Sequence, residues 1–228
     1  MKTNTLITAA VLCFASLTLC SNSIAQDGKK TASGASKEGF VSIFNGKDLT
    51  GWQVNGENPK SVRVEDGKLI IDGKRTHVFY NGPVGNHDFK NFEFKAKVMT
   101  FPKANSGIYF HTKFQDSGWP DAGYECQVNN THKDPRKTGS LYAVDDNNDE
   151  VAKDKEWFDY YIKVEGKRII IKINGKVVTD YTEPENPEHL KKMPGRKLGS
   201  GTIGIQAHDP ESVVHYKDLQ LKILPDSK

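Results

Sequence analysis

Glu125 and Gln127 stand on one side of a short alternating run, Gly123-Tyr124-Glu125-Cys126-Gln127-Val128, whose other side carries Tyr124, Cys126 and Val128. Residues two apart in a strand share a face, so a carboxyl and an amide are presented side by side. Two further runs follow the same pattern. Ile108-Tyr109-Phe110-His111 offers Tyr109 and His111, and Ile203-Gly204-Ile205-Gln206-Ala207-His208 offers Gln206 and His208. A carboxyl whose pKa is raised by burial serves as a general acid or base. Histidines carry protons near neutrality, and Tyr109, Gln127 and Gln206 would orient hydroxyl groups. If the three faces coincide, the chain builds a polar pocket on a rigid sheet. The alternative is three outward faces of a half-solvated sheet.

The elements that must position these residues are short strands. From Phe40 onward, apolar-rich runs alternate with Gly, Asn, Asp and Pro, and strands are expected at 41–44, 61–65, 68–72, 76–80, 91–99, 106–113, 123–128, 139–143, 157–165, 168–173, 176–181, 202–208 and 213–223. Asn174-Gly175 is a strong hairpin signal, because both central residues of that turn need positive φ. Glu65-Asp66-Gly67-Lys68 and Glu165-Gly166-Lys167 read as turns as well. Only 185–193 has room for a helical turn or two, between Pro187 and Pro194. Many strands without intervening helices predict an all-β fold, an antiparallel two-sheet sandwich or jelly roll.

At 228 residues the chain is long enough to bury a sizeable core. Residues 1–25 read as a signal peptide: Lys2, an apolar run from Leu6 to Leu19, and the small-x-small site Ser23-Ile24-Ala25. An exported location, periplasmic or secreted, is therefore expected. Leu17-Thr18-Leu19-Cys20 raises lipoprotein anchoring as an alternative, weakened by Leu19 where a small residue is usual. No segment predicts a membrane span. Residues 26–39 have linker composition, and 40–228 form the expected folded domain. Cleavage would remove Cys13 and Cys20 and leave Cys126 as a buried, unpaired thiol. Net charge is +3, with the charges interspersed, and no basic run with interleaved aromatics suggests nucleic acid.

Aromatic residues near polar groups suit sugars. Trp119, in Ser117-Gly118-Trp119-Pro120-Asp121, is the expected loop platform for a sugar ring, whereas Trp52 and Trp157 are expected in the core.

Six motifs in order carry a family resemblance: Phe44-Asn45-Gly46-Lys47-Asp48-Leu49-Thr50-Gly51-Trp52, Asn105-Ser106-Gly107-Ile108-Tyr109-Phe110-His111, Gly123 to Val128, Thr138-Gly139-Ser140-Leu141-Tyr142, Ile173-Asn174-Gly175-Lys176, and Gly204-Ile205-Gln206-Ala207-His208. Together they resemble the 3-keto-disaccharide hydrolase domain, from about Phe40 to Leu224. The resemblance implies a concanavalin A-like jelly roll, export, and cleavage of glycosides oxidised to a ketone at C3. An upstream oxidoreductase would then supply the ketone. The matching polar positions are Glu125, Gln127, Gln206 and His208, with Tyr109 and His111 beside them. The chain departs from the usual pattern at His111, where Arg is common, and at Asp209, where Gly is common.

Retaining glucanases of the laminarinase type share that fold and use Glu-x-Asp-x-x-Glu. Aligned on Glu125, the pattern would need acids at 127 and 130, where this chain has Gln127 and Asn130. An amide serves neither as nucleophile nor as acid, so double displacement is disfavoured. A 3-ketone permits another route: loss of the C2 proton to a base, departure of the C1 substituent with acid assistance, and optional re-addition of water. Glu125 and His208 are expected to share the acid and base roles, in either assignment. A divalent cation is a possible cofactor, with His111, Glu125 and His208 as candidate ligands. The acidic run Asp145-Asp146-Asn147-Asn148-Asp149-Glu150 begins like a calcium loop but lacks the Gly that such loops need at the sixth place. The alternative function is a non-catalytic carbohydrate-binding module using the same face and Trp119.

Overall fold

The computed structural model describes residues 39–226. The leader and nearly all of the linker expected from the sequence lie outside the described residues. The strands are β1 (Val41–Ser42), β2 (Trp52–Val54), β3 (Val62–Glu65), β4 (Lys68–Asp72), β5 (Thr76–Tyr80), β6 (Phe92–Thr100), β7 (Ser106–Thr112), β8 (Tyr124–Val128), β9 (Phe158–Glu165), β10 (Arg168–Ile173), β11 (Lys176–Thr182), β12 (Thr202–Ala207) and β13 (Val213–Ile223). They form two antiparallel sheets. The larger has the order β11-β10-β9-β6-β13-β4-β3, with β1 also paired to β13, and the smaller the order β2-β5-β12-β7-β8. Glu188–Lys191 makes a short 3-10 turn where a helical turn was expected.

Two-residue turns set the hairpin registers. Asp66-Gly67 (φ 48° and 76°) joins the pair Glu65↔Lys68, and Asn174-Gly175 (φ 49° and 79°) joins Ile173↔Lys176. Positive φ at both positions twists the turn in the sense of the flanking strands. β2 was not anticipated, because three residues are too few to display an alternation. Segment 139–143 is not a strand. Gly139 and Ala143 have φ of 89° and 59°, which ends the extended run on both sides. Leu141 still bridges to Cys126, and Gln127 N–H donates to Ser140 O at 3.0 Å, so the segment covers the open edge of β8.

The sheets differ in how they meet solvent. β6 buries Phe92, Phe94, Ala96 and Val98 and leaves the alternate residues partly exposed. β5, β7, β8 and β12 are buried at every residue. Their inner face packs Val78, Ile108, Phe110, Tyr124, Cys126, Ile203 and Ile205 against the larger sheet. Their outer face is polar and is covered by loops. Trp52 lies in the core, its Nε1–H donating to Ile43 O at 2.7 Å. Trp157, expected there as well, is only half-buried, with the Lys217 ammonium 4.3 Å from its ring centre. It precedes β9 rather than belonging to it, so the strand alternation does not govern its direction.

Candidate functional site

Antiparallel register aligns the polar residues in two rows across the outer face of the smaller sheet. One row runs Phe79–Gly204–Tyr109–Glu125. The other contains His77↔Gln206 and Gly107↔Gln127, and the ladder continuing from Ile205↔Ile108 sets Gln206 opposite Gly107. Gly107 is small because Glu125 needs the space: a Cβ there would lie 2.6 Å from Glu125 Oε1. A cavity of about 360 Å³ sits above these rows, lined by Tyr109, Glu125, Gln127, Gln206, His208 and Trp119, with Asn105, Tyr142 and Arg196. Six of the seven side chains singled out in the sequence therefore meet in one place.

Glu125 is 5% exposed. Burial pushes its carboxyl pKa up, against the opposing pull of Arg196, Tyr109, Gln206 and His208. Gln206 Nε2 donates to Glu125 Oε1 at 3.1 Å and to the Tyr109 hydroxyl at 2.9 Å. Burial and the neighbouring Glu125 hold the Tyr109 phenol well above its ordinary pKa, so it is a hydrogen-bonding hydroxyl. Gln127 Nε2 donates to Asn105 Oδ1 at 2.8 Å. The side-chain oxygens of Gln127 and Gln206 are buried acceptors with no protein partner among the described residues. Both amides thus retain an acceptor for a substrate hydroxyl.

Loops complete the rim. Arg196 Nη2 lies 3.6 Å from Glu125 Oε2, and its Nη1 donates to Tyr142 O at 3.1 Å. Its loop is held where Gly123 N–H donates to Gly195 O at 2.9 Å. Gly195 is essential to that approach, since a Cβ would fall 1.7 Å from Asp121 O. Arg196 was missed in the sequence because nothing local in Met193-Pro194-Gly195-Arg196 points to a strand 71 positions earlier. Trp119 is 42% exposed, with its ring 5.2 Å from His208 and 5.7 Å from His77, and the Arg75 guanidinium 4.9 Å from it. His77 was also missed, although its alternation with Phe79 was a usable signal. It is fully buried, and burial lowers its pKa to about 4.

His208 Nδ1 lies 2.9 Å from Asp209 Oδ2, which also accepts from Ser212 Oγ at 2.8 Å. Burial alone would raise the Asp209 pKa. Hydrogen bonds from Ser212, His208 and the Glu211 N–H outweigh it and hold the carboxyl below its ordinary range.

His111 does not join the site. Between the pairs Gly204↔Tyr109 and Thr202↔Thr112, one residue of β12 (Ile203) opposes two of β7 (Phe110 and His111), so β7 carries a bulge, and His111 has φ 55°. The extra residue breaks the alternation and turns the ring away from Tyr109, against Phe92 and Phe110. Gly199 N–H donates to Nδ1 at 3.1 Å, which leaves Nε2–H to donate to Lys90 O at 2.9 Å. Both ring nitrogens are therefore committed, and the proposed ligand set His111, Glu125 and His208 does not assemble. Among the described residues, no group of three His, Cys, Asp or Glu is arranged to hold a metal ion. In the acidic run, Asp146 is bound to Arg136 Nε (3.0 Å) and Ala143 N–H (2.8 Å), which makes it part of a turn.

Comparison with known proteins agrees with this architecture. A crystal structure of a candidate glycosyl hydrolase from Parabacteroides distasonis ATCC 8503 superposes with a TM-score of 0.69 at 24% identity, covering 82% of this chain and 95% of that one. The carbohydrate-binding module CBM66 from Bacillus subtilis gives 0.50 at 11% identity, covering 76% and 96%. Both share the fold. A 3-keto-disaccharide hydrolase from Bacteroides thetaiotaomicron is 32% identical over 79 residues, 32% of this chain and 27% of that protein's length. The model of the 3-keto-alpha-glucoside-1,2-lyase-like domain matches residues 39–222, nearly the whole described chain, and the protein belongs to that family.

Proposed function

We propose that this chain is an exported enzyme that cleaves the glycosidic bond of 3-keto-glycosides or 3-keto-disaccharides. The observation carrying this reading is that Glu125, its pKa raised by burial, and His208 line one cavity, while the strand position two places on from Glu125 holds the amide of Gln127. One acid, one base and hydrogen-bond donors suffice when the substrate already carries a ketone. His208 takes the C2 proton, and the electron pair moves into the C2–C3 bond as the C3 oxygen gains charge. Tyr109 and Arg196, on the wall of the same cavity, supply a hydroxyl and a guanidinium donor for that charge. The pair then forms the C1–C2 double bond as the C1–O bond breaks, and protonated Glu125 gives its proton to the departing oxygen. Addition of water to C1–C2 yields the hydrolysis product. An oxidoreductase acting earlier supplies the 3-ketone.

Time-resolved NMR of the purified protein with a 3-keto-glucoside in D2O tests the proposal. Turnover with deuterium at C2 is expected, and Glu125→Gln and His208→Ala should each lower it by about 10²-fold or more. Full turnover by either variant would remove that residue from the mechanism. The exposed Trp119 ring favours a second reading, a carbohydrate-binding module. Saturable sugar binding without turnover, tolerant of Glu125→Gln, is the outcome that would select it.

A further inference from the structure

Asp209 lies directly against the imidazole of the site, its Oδ2 2.9 Å from His208 Nδ1. We infer that Asp209 is the positioning residue of His208: it holds the ring proton on Nδ1 and keeps the Nε2 lone pair free for the substrate's C2 proton. This rests on the elimination chemistry proposed above.

The argument is geometric. Ser212 is fully buried, and its hydroxyl accepts the Asn105 backbone N–H at 2.9 Å. Its own proton is therefore available to Asp209 Oδ2, 2.8 Å away. The Glu211 N–H donates to Asp209 Oδ1 at 3.0 Å. Asp134 N–H donates to His132 Nδ1 at 3.1 Å, which leaves the His132 proton on Nε2, 3.8 Å from Asp209 Oδ2. Every neighbour of this carboxyl is thus a donor, the arrangement that an ionised carboxylate requires. An ionised carboxylate only accepts, so the 2.9 Å contact with His208 Nδ1 places the proton on Nδ1. Nε2 has no hydrogen-bond partner among the described residues. The other groups facing His208 are the Trp119 ring at 5.2 Å, the His132 ring at 5.8 Å, and the side chains of Glu125 and His77. Asn105 also accepts from Gln127, so the dyad is tied to the floor of the cavity.

A purely structural role for Asp209 would be to shape the turn into β13, where Ser212 N–H donates to Asp209 O at 3.1 Å. Asp209→Asn separates the two roles. Asparagine keeps an oxygen for the Glu211 N–H and so keeps the turn, but its NH2 donates to His208 Nδ1 and drives the ring proton to Nε2. The same exchange in a serine protease triad leaves the geometry intact and lowers kcat by about 10⁴-fold.

The test is long-range 1H–15N NMR of the histidine rings in the intact domain, with His208 assigned by its loss in His208→Gln, alongside kinetics on a 3-keto-glucoside. In the wild type, neutral His208 should show a protonated Nδ1 and a bare Nε2. In Asp209→Asn the two should exchange, and kcat should fall by about 10²–10⁴-fold with KM little changed. Ser212→Ala, which loosens the carboxylate without removing it, should retain the tautomer with a smaller loss. A wild-type His208 protonated on Nε2, or an Asp209→Asn protein with unchanged tautomer and kcat, would overturn the inference. A wild type inert toward 3-keto-glycosides but carrying the Nδ1–H tautomer would sink the proposed function and leave the positioning role standing.

Discussion

Glu125 and Gln127 differ by one functional group, and that difference decides the chemistry available. A second carboxyl at 127 would allow double displacement, whereas an amide leaves one buried carboxyl, and the proposed elimination needs only that acid and the imidazole of His208 as base. Burial acts on the histidines too, in the opposite direction. His77 and His111 both have pKa values lowered to about 4, mainly by burial, from an ordinary 6.5. Between those values the unfolded chain binds their protons and the fold does not. Stability therefore rises with pH across that window and is lost as pH falls from about 6.5 to about 4, by up to roughly 3 kcal/mol per imidazole. Glu125 works the other way, since its raised pKa costs stability as pH climbs through it. Urea unfolding at a series of pH values should show the acid loss, with a shallower slope in His111→Asn. An unchanged slope in that variant would mean His111 is not the group responsible.

At the scale of elements, β7 is both scaffold and filter. Its regular half presents Tyr109 and leaves Gly107 as the hollow into which Glu125 leans, while its bulge removes His111. Gly107→Ala would set a methyl group 2.6 Å from Glu125 Oε1, the far end of a flexible side chain. The expected outcome is a fold of near-native stability with Glu125 displaced and turnover sharply reduced. A variant with wild-type turnover would show that the placement of Glu125 does not depend on that hollow. Most strands were legible because alternation survives in β6, β9 and β13. The bulge was not, because its only trace is a register shift against β12 and a positive φ at a non-glycine residue.

Across the whole molecule, the two sheets are held together by one apolar layer, and the site rests on its far side. Phe94 is fully buried, paired with Ile162 and Leu221 in the larger sheet. Phe94→Ala should cost about 3–5 kcal/mol by lost burial and the cavity left behind, read as a shift in the urea midpoint. A loss under about 1 kcal/mol would mean the layer collapses around the gap. Alternation with period two is local, so the all-β class, the apolar faces and the polar pairs on three strands can be read along the chain itself. Which strands become neighbours, and in what register, depends on contacts between residues far apart in the chain. The meeting of Glu125, Tyr109 and Gln206, the turning away of His111, and the arrival of Arg196, Tyr142 and Trp119 at the rim therefore come from folding in three dimensions. The closing of the His208–Asp209–Ser212 contacts was likewise decided in three dimensions, because hydrogen-bond geometry is set by how β12 and β13 are joined and not by the order of the residues.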